Sequence, residues 1–155
     1  MKANVMFLLA LFGLMLVAQA KPIDMEKRGK VGDIVQALFD GLKTGKATWF
    51  HPVTEGGPEG ACDGIKEDDD SSIVALSLDL FGDEDAVSDF CKKKVWIKNK
   101  KNGKTVKATI TDACPGCKKN SLDLTPKVFA ALDDLNVGVL DIIWCVIGTK
   151  DCPGK

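Results

Sequence analysis

The chain has 155 residues, a formal net charge of −1 and a hydrophobic content of 45%. That length fits one domain behind an N-terminal export segment. So balanced a charge gives no bulk attraction to polyanions, which argues against nucleic acid as a partner.

Lys2, the apolar run Val5 to Val17 and Ala18-Gln19-Ala20 have the order of a secretory signal peptide over residues 1–20. The run is shorter than the roughly 20 residues a membrane span needs, so no membrane anchor is expected. Lys27-Arg28 closes residues 21–28, which read either as a propeptide ending in a dibasic cleavage site or as a charged linker. Four of the 21 basic and two of the 22 acidic residues precede Gly29, so cleavage there leaves a net charge of −3.

Val31, Ile34, Val35, Leu38, Phe39 and Leu42 recur at helical spacing, with Gly45 near a helix C-cap. Residues 29–45 are therefore expected as an N-terminal helical segment, and 46–155 as the main domain. Lys46 to His51 alternates as a strand ended by Pro52. Glu55 to Asp70 reads as a loop, and its run Glu67-Asp68-Asp69-Asp70 as a solvated acidic stretch without calcium-loop spacing. Ile73 to Leu76 is a short buried strand, followed by a turn of helix to Phe81. Cys91 to Asn99 alternates in part. Asn102-Gly103 is a hairpin signal, and Thr105 to Thr111 is the return strand leading to Asp112. Leu122 to Leu124 is briefly extended. Thr125 and Pro126 open a helix with Val128, Phe129, Leu132 and Leu135 on its apolar side, stopped at Asn136 and Gly138. Val139 to Ile147 is a last strand. Five or six strands with few helices suit a small closed barrel, a mainly β fold.

All six cysteines lie beyond Gly29, and an even count in a secreted chain points to disulfides. Six cysteines allow fifteen pairings. The local set is expected: Cys62 with Cys91, Cys114 with Cys117, and Cys145 with Cys152. A zinc site at Cys114-Pro-Gly-Cys117 lacks a second ligand pair, and His51 is the only histidine, so neither metal nor cofactor is expected. Asp112 and Asp123 flank that turn as candidate functional carboxylates. Their structural alternatives are capping the turn and bonding backbone at the helix start.

Several motifs stand in a familiar order: Lys46-Ala-Thr-Trp-Phe, Gly60-Ala-Cys62, Val74-Ala-Leu-Ser77, Asn102-Gly-Lys-Thr-Val106, Thr111-Asp-Ala-Cys-Pro-Gly-Cys117 and Ser121-Leu-Asp-Leu-Thr-Pro126, then Gly138 to Trp144. Over about Lys46 to Ile147 the chain resembles the RlpA-like double-psi β-barrel domain of the barwin and expansin-related group. It is most like small fungal secreted proteins of the loosenin type. The resemblance implies a six-stranded barrel with an open polysaccharide groove. Thr48, Asp112 and Asp123 match groove positions, and Asp123 matches the aspartate tied to wall loosening. Trp49 stands where the family has an aromatic, placed either to stack on a sugar or to pack in the core. Cys114 replaces a tyrosine common in expansins.

Related endoglucanases carry a general base just after the first strand. Here the strand runs on as Trp49-Phe50-His51-Pro52, and no acid precedes Glu55. His51 is the only other titratable group there, and the sequence shows no partner for it. The expected function is therefore non-hydrolytic binding or loosening of cell-wall polysaccharide (cellulose, chitin or pectin-like) by a monomer. Inhibition of a papain-like host protease and weak glycanase or lytic transglycosylase activity are the alternatives. The lysines from Lys92 to Lys107 read as edge protection, or as a surface attracting anionic wall polymers.

Overall fold

The computed structural model of the protein describes residues 39–154. The signal-peptide and propeptide expectations, and all of the N-terminal helix up to Leu38, lie outside those residues. Six strands close into a barrel: β1 (Lys43–Trp49), β2 (Ile73–Ser77), β3 (Lys94–Asn99), β4 (Thr105–Cys114), β5 (Leu122–Leu124) and β6 (Leu140–Val146). Their order around the barrel is β1-β5-β2-β4-β3-β6. The β1/β5 and β2/β4 pairs are parallel and the other four are antiparallel. Among the described residues no helix is long and apolar enough to cross a membrane.

Alternation builds the interior. Val95 and Ile97 of β3, Ala108 and Ile110 of β4, Leu122 and Leu124 of β5, and Ile142 and Trp144 of β6 share one buried cluster. β2 is covered on both faces: Val74 and Leu76 join that cluster, while Ile73 and Ala75 pack with Phe50 in a second, smaller one. This is why its apolar residues run without alternation.

Strand β1 begins three residues before the expected start. Gly45, expected near a helix cap, is a strand residue pressed on a backbone. A Cβ there would meet the Asn120 carbonyl, which already accepts the Trp144 indole N–H at 2.8 Å. Gly45→Ala should therefore destabilise the protein by about 2 kcal/mol or more, as overpacking does in a closed core. A urea titration checks this. A midpoint unchanged from the wild type would show that the Asn120 turn yields freely.

Two local expectations change around the helix α2 (Pro126–Leu132). Thr125 stands at its N-cap position, but the hydroxyl makes no cap bond and donates to Ser71 O at 2.6 Å. The helix also ends at Leu132, ahead of Asn136, because a new 3-10 turn (Leu135–Val137) starts under Asp134, whose carboxylate accepts the Asn136 N–H. The side chains of Asn99 and Asn102 take up the freed Leu132 carbonyl at 3.3 and 2.9 Å. They thereby tie the β3–β4 hairpin to the helix end. The short helix α1 (Leu78–Phe81) follows β2 directly.

Three disulfides join Cys62 to Cys91, Cys114 to Cys117 and Cys145 to Cys152. The first staples the long loop to the approach to β3. The last folds the C-terminal tail onto β6.

Candidate functional site

Four side chains form a row across four strands. Thr48 of β1 is in register with Asp123 of β5, Asp123 with Ala75 of β2, and Ala75 with Asp112 of β4. Neighbouring strands lie about 4.8 Å apart, so the Asp123 and Asp112 backbones stand about 10 Å apart. Ala75 keeps the floor between them low.

Asp112 reaches this row through a β-bulge. Val106, Ala108 and Ile110 alternate into the barrel, and strict alternation would send Asp112 inward with them. The β2/β4 register instead moves from Val74↔Ile110 to Ala75↔Asp112, so Thr111 is the extra residue. One added residue reverses the facing of everything beyond it. The expected return strand leading to Asp112 is present as part of β4 (Thr105–Cys114), with the bulge at Thr111 as the added feature. Thr111 itself is buried, and its carbonyl accepts the Cys62 N–H.

Asp123, Ala75 and Asp112 of the row floor an open cleft of about 370 Å³ lined also by Trp49, Phe50, Glu55, Gly56, Ala113, Cys114 and Pro115, while Thr48 lines a separate hollow with Lys46, Cys117 and Ser121. Thr48 donates to Asp123 Oδ1 at 2.6 Å. Burial pushes the Asp123 carboxyl above the usual aspartate range, and the negative charges of Glu55 and Asp112 add to the shift; the Thr48 and Leu124 hydrogen bonds oppose it. Asp112 is held differently, with Oδ1 accepting the Ala61 and Ala113 N–H groups at 2.9 and 2.8 Å. The two carboxylates are thus held differently, Asp123 by the Thr48 hydroxyl and Asp112 by two backbone N–H groups. The cleft continues past Glu55 and Asp112 into a hollow bordered by Glu59 and Glu84.

Trp49 is half-buried. Its indole donates to Leu135 O at 3.1 Å, and its ring meets His51 edge-on at 5.2 Å. It both packs on the core and lines the cleft. The two sulfurs of Cys114–Cys117 and a carboxylate oxygen of Asp123 lie within 4.8 Å of one another. With the sulfurs bonded to each other, they offer no thiolate to a metal.

Sequence reasoning passed over two acids. One π-helical turn (Pro52–Gly56) brings Glu55 to the cleft, where its Oε2 accepts the His51 N–H at 2.6 Å. A third carboxylate therefore stands in the cleft after all. Glu67 is buried, not solvated, and neither of its carboxyl oxygens has a hydrogen-bond partner. Loss of water around it pushes its pKa up to about 7, with the Asp112 charge adding to the shift. The Thr111 hydroxyl lies near enough to oppose the shift without forming a well-made bond. His51 faces elsewhere: its Nδ1 meets Asp69 Oδ2 at 2.7 Å, in a hollow with Val53 and Asp68.

A family model described as lytic transglycolase, of the double-psi β-barrel type, matches residues 43–144. Ripening-related protein 6 of Oryza sativa subsp. japonica is 35% identical over 100 residues, covering 61% of this chain and 58% of the rice protein. The chain thus spans less than two thirds of that relative. Among solved structures, the Streptomyces papain inhibitor superposes with a TM-score of 0.56 at 28% identity, over 69% of this chain and 94% of the inhibitor. A Clavibacter michiganensis expansin variant in complex with cellohexaose gives a TM-score of 0.57 at 26% identity, over 74% of this chain and 54% of the expansin. The closed six-stranded barrel and the family match over nearly all of it agree: the chain belongs to the RlpA-like double-psi β-barrel family.

Proposed function

We propose that the protein is a secreted, expansin-like binder and loosener of cell-wall polysaccharide, of the small fungal loosenin type, acting as a monomer without hydrolysis. The row Thr48, Asp123, Ala75 and Asp112 carries this reading. It gives an extended chain a low floor edged by hydrogen-bonding groups, with Trp49 at one side for a sugar face. The expansin solved with cellohexaose supports a glycan as the occupant. Three disulfides suit an extracellular setting. Cleft carboxylates repel acidic chains, so neutral glycans such as cellulose and chitin fit here better than pectin.

Glu55 lines the same cleft with its Oε2 accepting the His51 N–H at 2.6 Å, and it is the carboxylate that a hydrolytic alternative would use as its base. Co-sedimentation with cellulose and chitin tests the reading. Binding is expected, with Trp49→Ala weakening it about tenfold, the scale of one lost aromatic contact. Reducing-sugar release that disappears in Asp123→Asn would replace the reading with a glycanase or lytic transglycosylase. Absence of binding to either glycan would reject the cleft as a glycan site.

The second reading is inhibition of a papain-like protease, supported by the match to nearly the whole Streptomyces inhibitor. Titration of papain activity separates the two readings.

A further inference from the structure

Eight of the chain's 21 basic residues fall within Lys92 to Lys107, with no acidic residue among them. Val95, Ile97 and Asn99 of β3 are wholly buried, so alternation turns Lys94, Trp96 and Lys98 outward. The register Lys94↔Thr109, Trp96↔Lys107 and Lys98↔Thr105 sets their β4 partners on the same outer face. Lys100, Lys101 and Lys104 stand exposed around the turn. From Lys94 to the turn the strip is about 20 Å long, at about 3.3 Å per residue.

Within the stretch, Lys92 pairs with Asp63 at 3.1 Å and Lys93 lies over the Phe39 ring at 4.5 Å. The ammonium groups of Lys94, Lys98, Lys101 and Lys104 have no ion-pair partner among the described residues. Trp96 is partly buried, and Gly154 packs against the base of its ring, where a side chain on Gly154 would strike Cβ and Cγ; the Cys145–Cys152 bond secures that tail. A fixed aromatic face, two threonine hydroxyls and dispersed positive charges make a surface for an acidic sugar chain.

The charges are all lysine, and the chain's one arginine, Arg28, lies elsewhere. Lysine supplies point charges suited to scattered carboxylates, without the bidentate fork that reads bases and phosphates. Thr105 and Asp112 are seven residues apart on β4, about 23 Å, so the turn end of the strip stands well away from the acidic cleft, while Thr109, opposite Lys94, lies about 10 Å from Asp112 along the strand.

We propose that the outer face of the β3–β4 hairpin is a second carbohydrate site, which takes a linear uronate-type polysaccharide on Lys94, Lys98, Lys101 and Lys104 with a sugar ring over Trp96. The site stands whether or not the cleft binds glycan. Affinity electrophoresis of the disulfide-bonded protein tests it, in gels containing polygalacturonate, a neutral soluble glucan, or duplex DNA at equal charge concentration. Retardation by polygalacturonate is expected at low ionic strength and should be largely lost near 0.5 M salt, where the screening length falls to about 4 Å. Combined Lys94→Gln, Lys98→Gln, Lys101→Gln and Lys104→Gln should weaken it about tenfold, the product of four small exposed-pair contributions, while sparing cellulose binding. Should that variant misfold, Lys101→Gln with Lys104→Gln at the turn is expected to give about a threefold loss. Trp96→Ala should lower affinity while leaving the salt dependence unchanged. No retardation at low salt, undiminished retardation in the folded lysine variants, or tighter binding to DNA than to polygalacturonate would each overturn the assignment.

Discussion

Asp123→Asn is expected to weaken cleft binding of neutral glycan roughly tenfold to hundredfold while leaving the protein as stable as the wild type at pH 7, or more so. Asparagine keeps an oxygen for the Thr48 hydroxyl, which donates at 2.6 Å. What it removes is a charge-assisted acceptor at the centre of the row. Such a loss corresponds to roughly tenfold to hundredfold in affinity. Stability moves the other way because the carboxyl is pushed up by burial. A raised acid stabilises the fold most below its unfolded pKa, and that contribution is lost as pH rises through the folded value. Ionising the half-buried Asp123 carboxyl therefore costs stability as pH rises, a cost the uncharged variant does not carry. Binding isotherms and thermal melts on the same samples check both halves. Unaltered affinity would remove Asp123 from the site, and a lower melting temperature beside lost binding would trace the loss to misfolding.

Glu67→Gln should give the larger stability change. The Glu67 pKa stands at about 7 against an ordinary value of 4.5. The folded protein therefore holds a proton that the unfolded chain releases over that range. Stability from this group is full below pH 4.5 and is lost as pH rises through 7. The difference amounts to about 3 kcal/mol, at about 1.4 kcal/mol per pKa unit. The wild type should be most stable in mild acid. Glu67→Gln should flatten the curve and exceed the wild type above pH 7. Melting curves from pH 4 to 9 check this, and parallel profiles for the two proteins would mean that Glu67 ionises freely in the fold.

Much of the barrel was legible because burial alternates with sequence. The buried run Ile73 to Leu76, the Asn102-Gly103 turn and the apolar β6 each leave a local signature. What was hidden depends on contacts between strands. The facing of Asp112 depends on one inserted residue, Thr111, which shows only in the register with β2. Glu67 sits in an acidic run whose other members are exposed, and only the packing of Gly60 and the bulge against it reveals that it is buried. Glu55 enters the cleft through a π turn, which has no simple sequence code. Thr125 has the composition of a cap, yet a carbonyl from the loop before β2 competes for its hydroxyl and wins.

Because the six strands close on one another, each has a neighbour on both sides. Among the described residues, the barrel therefore presents no strand without a neighbour on either side onto which a foreign strand could be added. That removes β-augmentation, a common way of gripping an extended peptide, from this barrel's repertoire. Any extended partner of the barrel is therefore held by side chains and turns, so specificity can drift through single substitutions without disturbing the hydrogen-bonded frame.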